Sequence, residues 1–152
     1  MKLLIDTNIV LDVLLKREPF CTDAVRVLNL AGRSDIEEYV SASAITDIYY
    51  VAYRMIRDKV IVKSLINQLL KIVSVAGVSE KEIQMSLELE WNDFEDSVQY
   101  SVAMISQMDG IVTRNLNDYK KSEIPIWLPN QIEALFRSHE VPETKNDTKN
   151  SE

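Results

Sequence analysis

Residues 1–15 read MKLLIDTNIVLDVLL, and the order of events in that stretch decides the fold. Leu3, Leu4 and Ile5 are consecutive apolar residues, which is how a strand buried on both faces reads. Asp6 stops the run. From Asn8 onward Ile9, Val10, Val13 and Leu14 recur at helical spacing, so a strand over 1–7 runs into a helix over 8–16 with almost no loop. A doubly buried strand feeding straight into a helix is the first half of a parallel βαβ unit.

The rest of the chain repeats that alternation. Apolar spacing predicts a helix over 22–31 through Val25, Leu28 and Leu30, closed by Gly32. Another starts at Ser43 and carries Ile45, Ile48, Tyr49, Ala52 and Ile56 on one face. A third spans 60–71 through Leu65, Ile66, Leu69 and Leu70. The capping box Ser79-Glu80-Lys81-Glu82 opens a fourth, and Asp93-Phe94-Glu95-Asp96 leads into a fifth carrying Val98, Val102 and Ile105. Pro129 suits the first turn of a last helix through Ile132, Leu135 and Phe136. Short apolar runs over 38–41, 72–75, 110–113 and 124–127 supply four more strands, the last placed at a sheet edge by Pro125. The expectation is a three-layer α/β/α sandwich around a mainly parallel five-stranded sheet. No internal repeat interrupts it. The domain should span 1–138, followed by a polar C-terminal tail over 139–152. From Pro142 that tail reads PETKNDTKNSE, a composition expected to be disordered, with a partner-binding segment as the alternative.

Composition narrows the class. The chain has 152 residues, 46% hydrophobic and 27% charged, which suits one globular domain. Cys21 is its one cysteine, so no disulfide or thiolate cage can form within it, and a reducing compartment with Cys21 as a packing residue is expected. Lys2 followed by leucines resembles a signal peptide, but Asp6 and Asp12 break the apolar stretch and no small-residue cleavage site follows. No run approaches the roughly 18 apolar residues of a membrane span. A cytoplasmic protein away from any membrane is the reading. The net charge of −7 excludes a broad basic face for nucleic acid. A polyanionic substrate would need local positive charge, which a metal ion held by carboxylates would supply. Solubility alone is the plain alternative.

Several acids fall where such a site would lie. In an open parallel sheet, ligands gather at the carboxyl ends of the strands. Asp6 ends the first strand there. Thr113 ends the fourth, with Asn115 and Asp118 in the loop beyond. Asp47 lies in the early turns of the helix after strand two, and Asp96 in the first turn of the helix before strand four. Connectivity brings both of those helix starts to the same rim. Taken singly, each has an ordinary role. Asp6 can cap the following helix, and Asp93 with Asp96 can form a capping pair. Asp47 can answer the helix dipole, and Asn115 and Asp118 are turn formers. Together they repel one another, and a hard divalent cation such as Mg²⁺ or Mn²⁺ relieves that. The single histidine, His139, falls in the last helix, which removes a His-rich zinc site and most nucleophilic triads.

The blocks LLIDTNIVLDVLL, SASAITDIYYVAYR, DFEDSVQYSVAM and GIVTRNLNDYKKSEIPIWLP, in that order, resemble the PIN-domain family, the ribonuclease fold of VapC-like toxins in toxin–antitoxin modules. The resemblance implies a catalytic set of Asp6, Asp47, Asp96, Asn115 and Asp118, with Asp6, Asp96 and Asp118 as metal ligands. Asp47 stands where many relatives carry glutamate, and Asn115 offers a neutral amide in an acid-or-amide position. Thr113 is implied to order the site, and Arg114 is the nearest residue to meet a substrate phosphate, with Lys120 and Lys121 beyond it. Asp93 and Glu95 read as a cap and a surface charge.

The implied reaction is Mg²⁺- or Mn²⁺-dependent hydrolysis of an RNA phosphodiester. Water attacks phosphorus in line and leaves a 3′-hydroxyl and a 5′-phosphate. The implied partners are RNA, a cognate antitoxin and a second copy of the chain. Tyr49, Tyr50 and Tyr53 fall on more than one helix face, so they serve either a partner groove or the core. A haloacid-dehalogenase-like phosphatase would need a second acid where Asn8 stands. A receiver domain would need an aspartate in Val73-Ser74-Val75-Ala76. The remaining alternative is a PIN-like module that binds RNA or protein without cleaving.

Overall fold

The computed structural model describes residues 1–137; His139 and the tail expected over 139–152 lie outside them. Strand β1 is Lys2–Ile5 and helix α1 is Thr7–Leu14, with only Asp6 between them. Helix α2 (Cys21–Asn29) leads to β2 (Glu37–Ser41), α3 (Ala42–Ile56), α4 (Lys59–Leu69) and β3 (Ser74–Ala76). Helices α5 (Glu80–Glu88) and α6 (Phe94–Ile105) then return the chain to β4 (Gly110–Val112). A 3₁₀ turn at Leu116–Tyr119, the edge strand β5 (Ile126–Trp127) and α7 (Pro129–Arg137) follow.

The strands lie in the order β3-β2-β1-β4-β5, and all four pairings are parallel. β1 is therefore central. Leu3 and Ile5 face one core with Val40 and Val112, packed under α1, α2, α3 and α7 through Ile9, Val27, Ile48 and Ile132. Leu4 faces the other core with Ile111, packed under α5 and α6 through Met85, Val98 and Val102. The unbroken apolar run of the first strand thus serves two cores, and the three layers follow. Pro125 accepts from the Ile111 amide through its carbonyl (3.0 Å), so the sheet loses nothing by its missing N–H at the edge. Gly110 is needed for closeness. A Cβ there would lie 2.3 Å from the Trp127 ring and 2.6 Å from the Pro125 carbonyl oxygen.

Caps formed largely as their residues suggest. Ser41 accepts from the Ala44 amide at the start of α3, Asp58 caps α4, and Ser79 with Glu82 forms the reciprocal capping box of α5. Gly32 is a correction. It closes no α-helix; α2 ends at Asn29, and the chain tightens into a 3₁₀ turn at Leu30–Gly32 in which Arg33 donates to the Leu30 carbonyl. The buried face of α2 is Ala24, Val27 and Leu28, while Val25 is exposed. In α4, Val62 and Leu69 are buried and Leu70 is not. Among the described residues no helix is long and apolar enough to cross a membrane.

Candidate active site

Asp6 stands at the N-cap position of α1, yet its side chain makes no capping bond. Both carboxylate oxygens are taken elsewhere. Gln99 donates Nε2–H to Oδ1 at 3.0 Å, and Thr113 donates Oγ1–H to Oδ2 at 2.8 Å. Asp6 is 4% exposed. Burial pushes its pKa up, the two side-chain hydrogen bonds pull against that, and the Asp118 charge adds to the rise. The carboxylate is thus held in a fixed pose at the carboxyl end of the central strand. That pose does not cap the helix.

Thr113 links this acid to the next loop. It is fully buried at the end of β4, and its Oγ1 also accepts from the Asn115 amide at 3.1 Å. Asn115 then turns its Nδ2 onto Asp118 Oδ2, so the two exposed residues beyond β4 are latched together. One threonine therefore sets the position of Asp6 and of the Asn115–Asp118 turn.

Asp96 enters from α6. Asp93 accepts from the Asp96 amide at 3.1 Å and so acts as the helix cap, as its spacing suggests. This leaves the Asp96 carboxylate free to face inward, where it accepts from the Tyr119 hydroxyl at 3.3 Å. Burial raises its pKa to about 7, and the charges bearing most on it are all negative: Asp6, Asp93, Asp118 and Glu95. Asp47, half-buried on α3, contributes a negative charge felt by Glu95 across the same rim. Asp6, Asp47, Asp96, Asn115 and Asp118 are thereby brought to one end of the sheet.

Two expectations shift. Glu95 is not merely a surface charge: it accepts from Thr7 Oγ1 at 2.8 Å, and burial with the Asp47, Asp6 and Asp93 charges raises its pKa. The guanidinium of Arg114 is turned away from the acids. It forms an ion pair with the wholly buried Asp12 (Nε–Oδ2 2.8 Å) and lies 4.1 Å over the Phe20 ring. Arg114 thus ties the β4 loop to α1. Of the residues that act on the site, Gln99 and Tyr119 had no signal beyond their type. Gln99 is a polar residue between the apolar Val98 and Tyr100 and lies one turn after Asp96, which is the trace that could have found it.

The donor set suits a hard divalent cation in kind: carboxylate and amide oxygens, no sulfur, no imidazole. Its electrostatics suit one too, since Asp6, Asp96 and Asp118 bear on one another as like charges. Among the described residues no three such side chains already stand close enough to enclose an ion. Gln99, Thr113, Tyr119 and Asn115 hold the acids instead, and Gln99 Oε1 is left buried without a hydrogen bond.

Comparison with known proteins finds relatives of the chain. A family model described as the PIN domain matches residues 2–117. Ribonuclease VapC1 of Aquifex aeolicus (strain VF5) is 27% identical over 110 residues, 67% of this chain and 73% of that protein. Among solved structures, VapBC2 from Rickettsia felis, bound to a DNA fragment from the promoter, superposes with a TM-score of 0.66 at 17% identity, over 84% of this chain and 98% of the other. A toxin–antitoxin complex from Klebsiella pneumoniae gives 0.62 at 19% identity, over 83% and 96%.

Proposed function

The chain belongs to the PIN domain family, and from that premise we propose that it is a metal-dependent endoribonuclease, the toxin of a type II toxin–antitoxin module. One observation carries this reading. Asp6 occupies a helix N-cap without capping, and its two oxygens are aimed by Gln99 and Thr113 into the rim that also holds Asp96 and Asp118. The Aquifex relative is a ribonuclease by name, and the Klebsiella structure of the same fold is a toxin–antitoxin complex.

Asp6, Asp96 and Asp118 would hold Mg²⁺ or Mn²⁺, with Asp47, Glu95 and Asn115 around them. Such a cation supplies charge neutralisation at the phosphate and activation of water. The chain's own residues do the positioning. Gln99 and Thr113 fix the Asp6 carboxylate, so it need not reorganise when RNA arrives. Tyr119 steadies Asp96, and Thr113 couples Asp6 to the turn that carries Asp118. Hydrolysis adds water across the P–O3′ bond and leaves a 3′-hydroxyl and a 5′-phosphate.

The partner surface in this reading is the groove of about 400 Å³ between α3 and α4, lined by Ile45, Tyr49, Tyr50 and Ile66. Tyr50 there is 62% exposed, more than core packing explains. The antitoxin would occupy it. Homodimerisation in the cytoplasm belongs to the same reading, and light scattering of the purified chain tests it.

One observation favours a second reading. Asn115 is neutral and latched onto Asp118, which suits a PIN-like module that binds RNA without cutting it. A single assay separates the two. Incubation of an RNA pool with Mn²⁺ or Mg²⁺ should give cleavage that disappears in Asp6→Asn and Asp96→Asn. Folded wild-type protein that cuts no RNA with either metal supports the binding module instead.

A further inference from the structure

A cleft of about 200 Å³ opens between the 89–93 loop and the segment 116–121, and it is continuous with the acids. Asp96 and Asp118, with Asp93 and Glu90, form the acidic part of its lining, and Lys120 and Lys121 the basic part. Trp91 also lines the cleft; it is half-buried, with its ring stacked on Tyr100 (centroids 4.7 Å, planes 28° apart) and edge-on to Tyr119 (5.7 Å, 84°). Tyr119 is the residue whose hydroxyl meets Asp96. An aromatic plate and a candidate metal ligand are thus mounted on the same side chain.

We propose that this cleft is a subsite for one nucleotide of single-stranded RNA next to the phosphate that is cut. Trp91 is the stacking platform, and Lys120 and Lys121 hold the adjoining phosphate. The inference rests on the ribonuclease reading and deepens it. Single strands are bound by aromatic faces beside basic groups, because every base has a π-face and every linkage a charge. The cleft has both in a protein of net charge −7, where two adjacent lysines beside a cluster of acids need a reason. Lys121 Nζ donates to the Glu90 carbonyl and ties the two walls together. Lys120 makes no ion pair among the described residues. Asn92 and Asn117 line the walls and offer amide donors and acceptors to a base edge. The volume is smaller than the roughly 300–1,000 Å³ of a drug-sized pocket, so it suits one unit of an extended chain and not a duplex.

The test measures binding of a fluorescent single-stranded RNA pool by anisotropy, on an Asp6→Asn background with Mg²⁺, across a salt series. Asp6 lies outside the cleft, and every variant is compared on the same background. Lys120→Ala with Lys121→Ala should make the slope of log affinity against log salt shallower by about 0.7, one single-strand phosphate contact's worth. Trp91→Ala should weaken binding about 5- to 100-fold, and Trp91→Phe should recover most of it, since a ring can still stack. Unchanged slope in the lysine variant, or equal competition by duplex RNA, overturns the subsite. Should those variants bind as the background does while the wild type still cleaves, the subsite is wrong and the ribonuclease stands. Should the wild type neither bind nor cleave, the ribonuclease reading falls and the subsite with it.

Discussion

Glu38 is the least comfortable residue in the fold, and it offers a stability test independent of function. It lies on β2 opposite Leu3, on the strand face that carries Val40 into the first core. It is 3% exposed, and neither carboxylate oxygen has a hydrogen-bond partner. Burial alone pushes its pKa to about 8. In the unfolded chain the group titrates near its ordinary 4.5, so between those values the folded protein holds a proton that the unfolded chain has released. The stability tied to that proton is therefore complete below pH 4.5 and is lost as pH rises toward 8. At 1.36 kcal/mol per tenfold difference in proton affinity, the loss between pH 5 and pH 8 comes to about 3–4 kcal/mol.

Glu38→Gln removes the titration while keeping the shape. Urea unfolding of both proteins at pH 5, 6, 7 and 8 gives the comparison. The buried acids of the rim titrate in the same direction in both proteins, so the difference between them isolates Glu38. The variant should gain on the wild type by about 3–4 kcal/mol from pH 5 to pH 8. Its absolute offset is uninformative, because the new amide is also unpartnered. Parallel stability curves would refute the reasoning and would mean that water or a donor reaches the carboxylate.

Three further outcomes can be checked directly. Gly110→Ala should destabilise the protein by about 1–3 kcal/mol in urea, because its methyl group would collide with Trp127 and with the Pro125 backbone. Arg114→Met should cost about 2 kcal/mol by leaving the buried Asp12 with only its longer contact to Arg17 (3.7 Å), and adding Asp12→Asn should recover a large part of that. Thr113→Val should keep the fold but lower the rate of RNA cleavage by about 10- to 100-fold, the usual effect of losing a group that orients a ligand; equal rates would show that Gln99 alone suffices to aim Asp6.

How far the sequence could be read depended on which quantity each residue reports. The alternation of short apolar runs with amphipathic segments is local, and it led to five strands in a parallel sheet. The rim of acids also follows from chain direction, since a helix returning to a parallel strand must begin at the carboxyl edge. What spacing cannot carry is the azimuth of a helix about its own axis. Asp96 and Glu95 are adjacent and point about 100° apart, so a reading by position sends one inward and the other to solvent. The structure sets α6 so that the site lies in the angle between them: Glu95 meets Thr7 and Asp96 meets Tyr119.

The same limit applies to Arg114. Its place after β4 points to the rim, but a long side chain goes where a countercharge is, and Asp12 is buried on α1 within its reach. Asp6 is the converse case. Its cap position is local and legible, while its lack of capping is tertiary, fixed by Gln99 and Thr113 from two other elements. A carboxylate that caps no helix and is held by two buried donors from other elements has a pose that no local spacing rule could give.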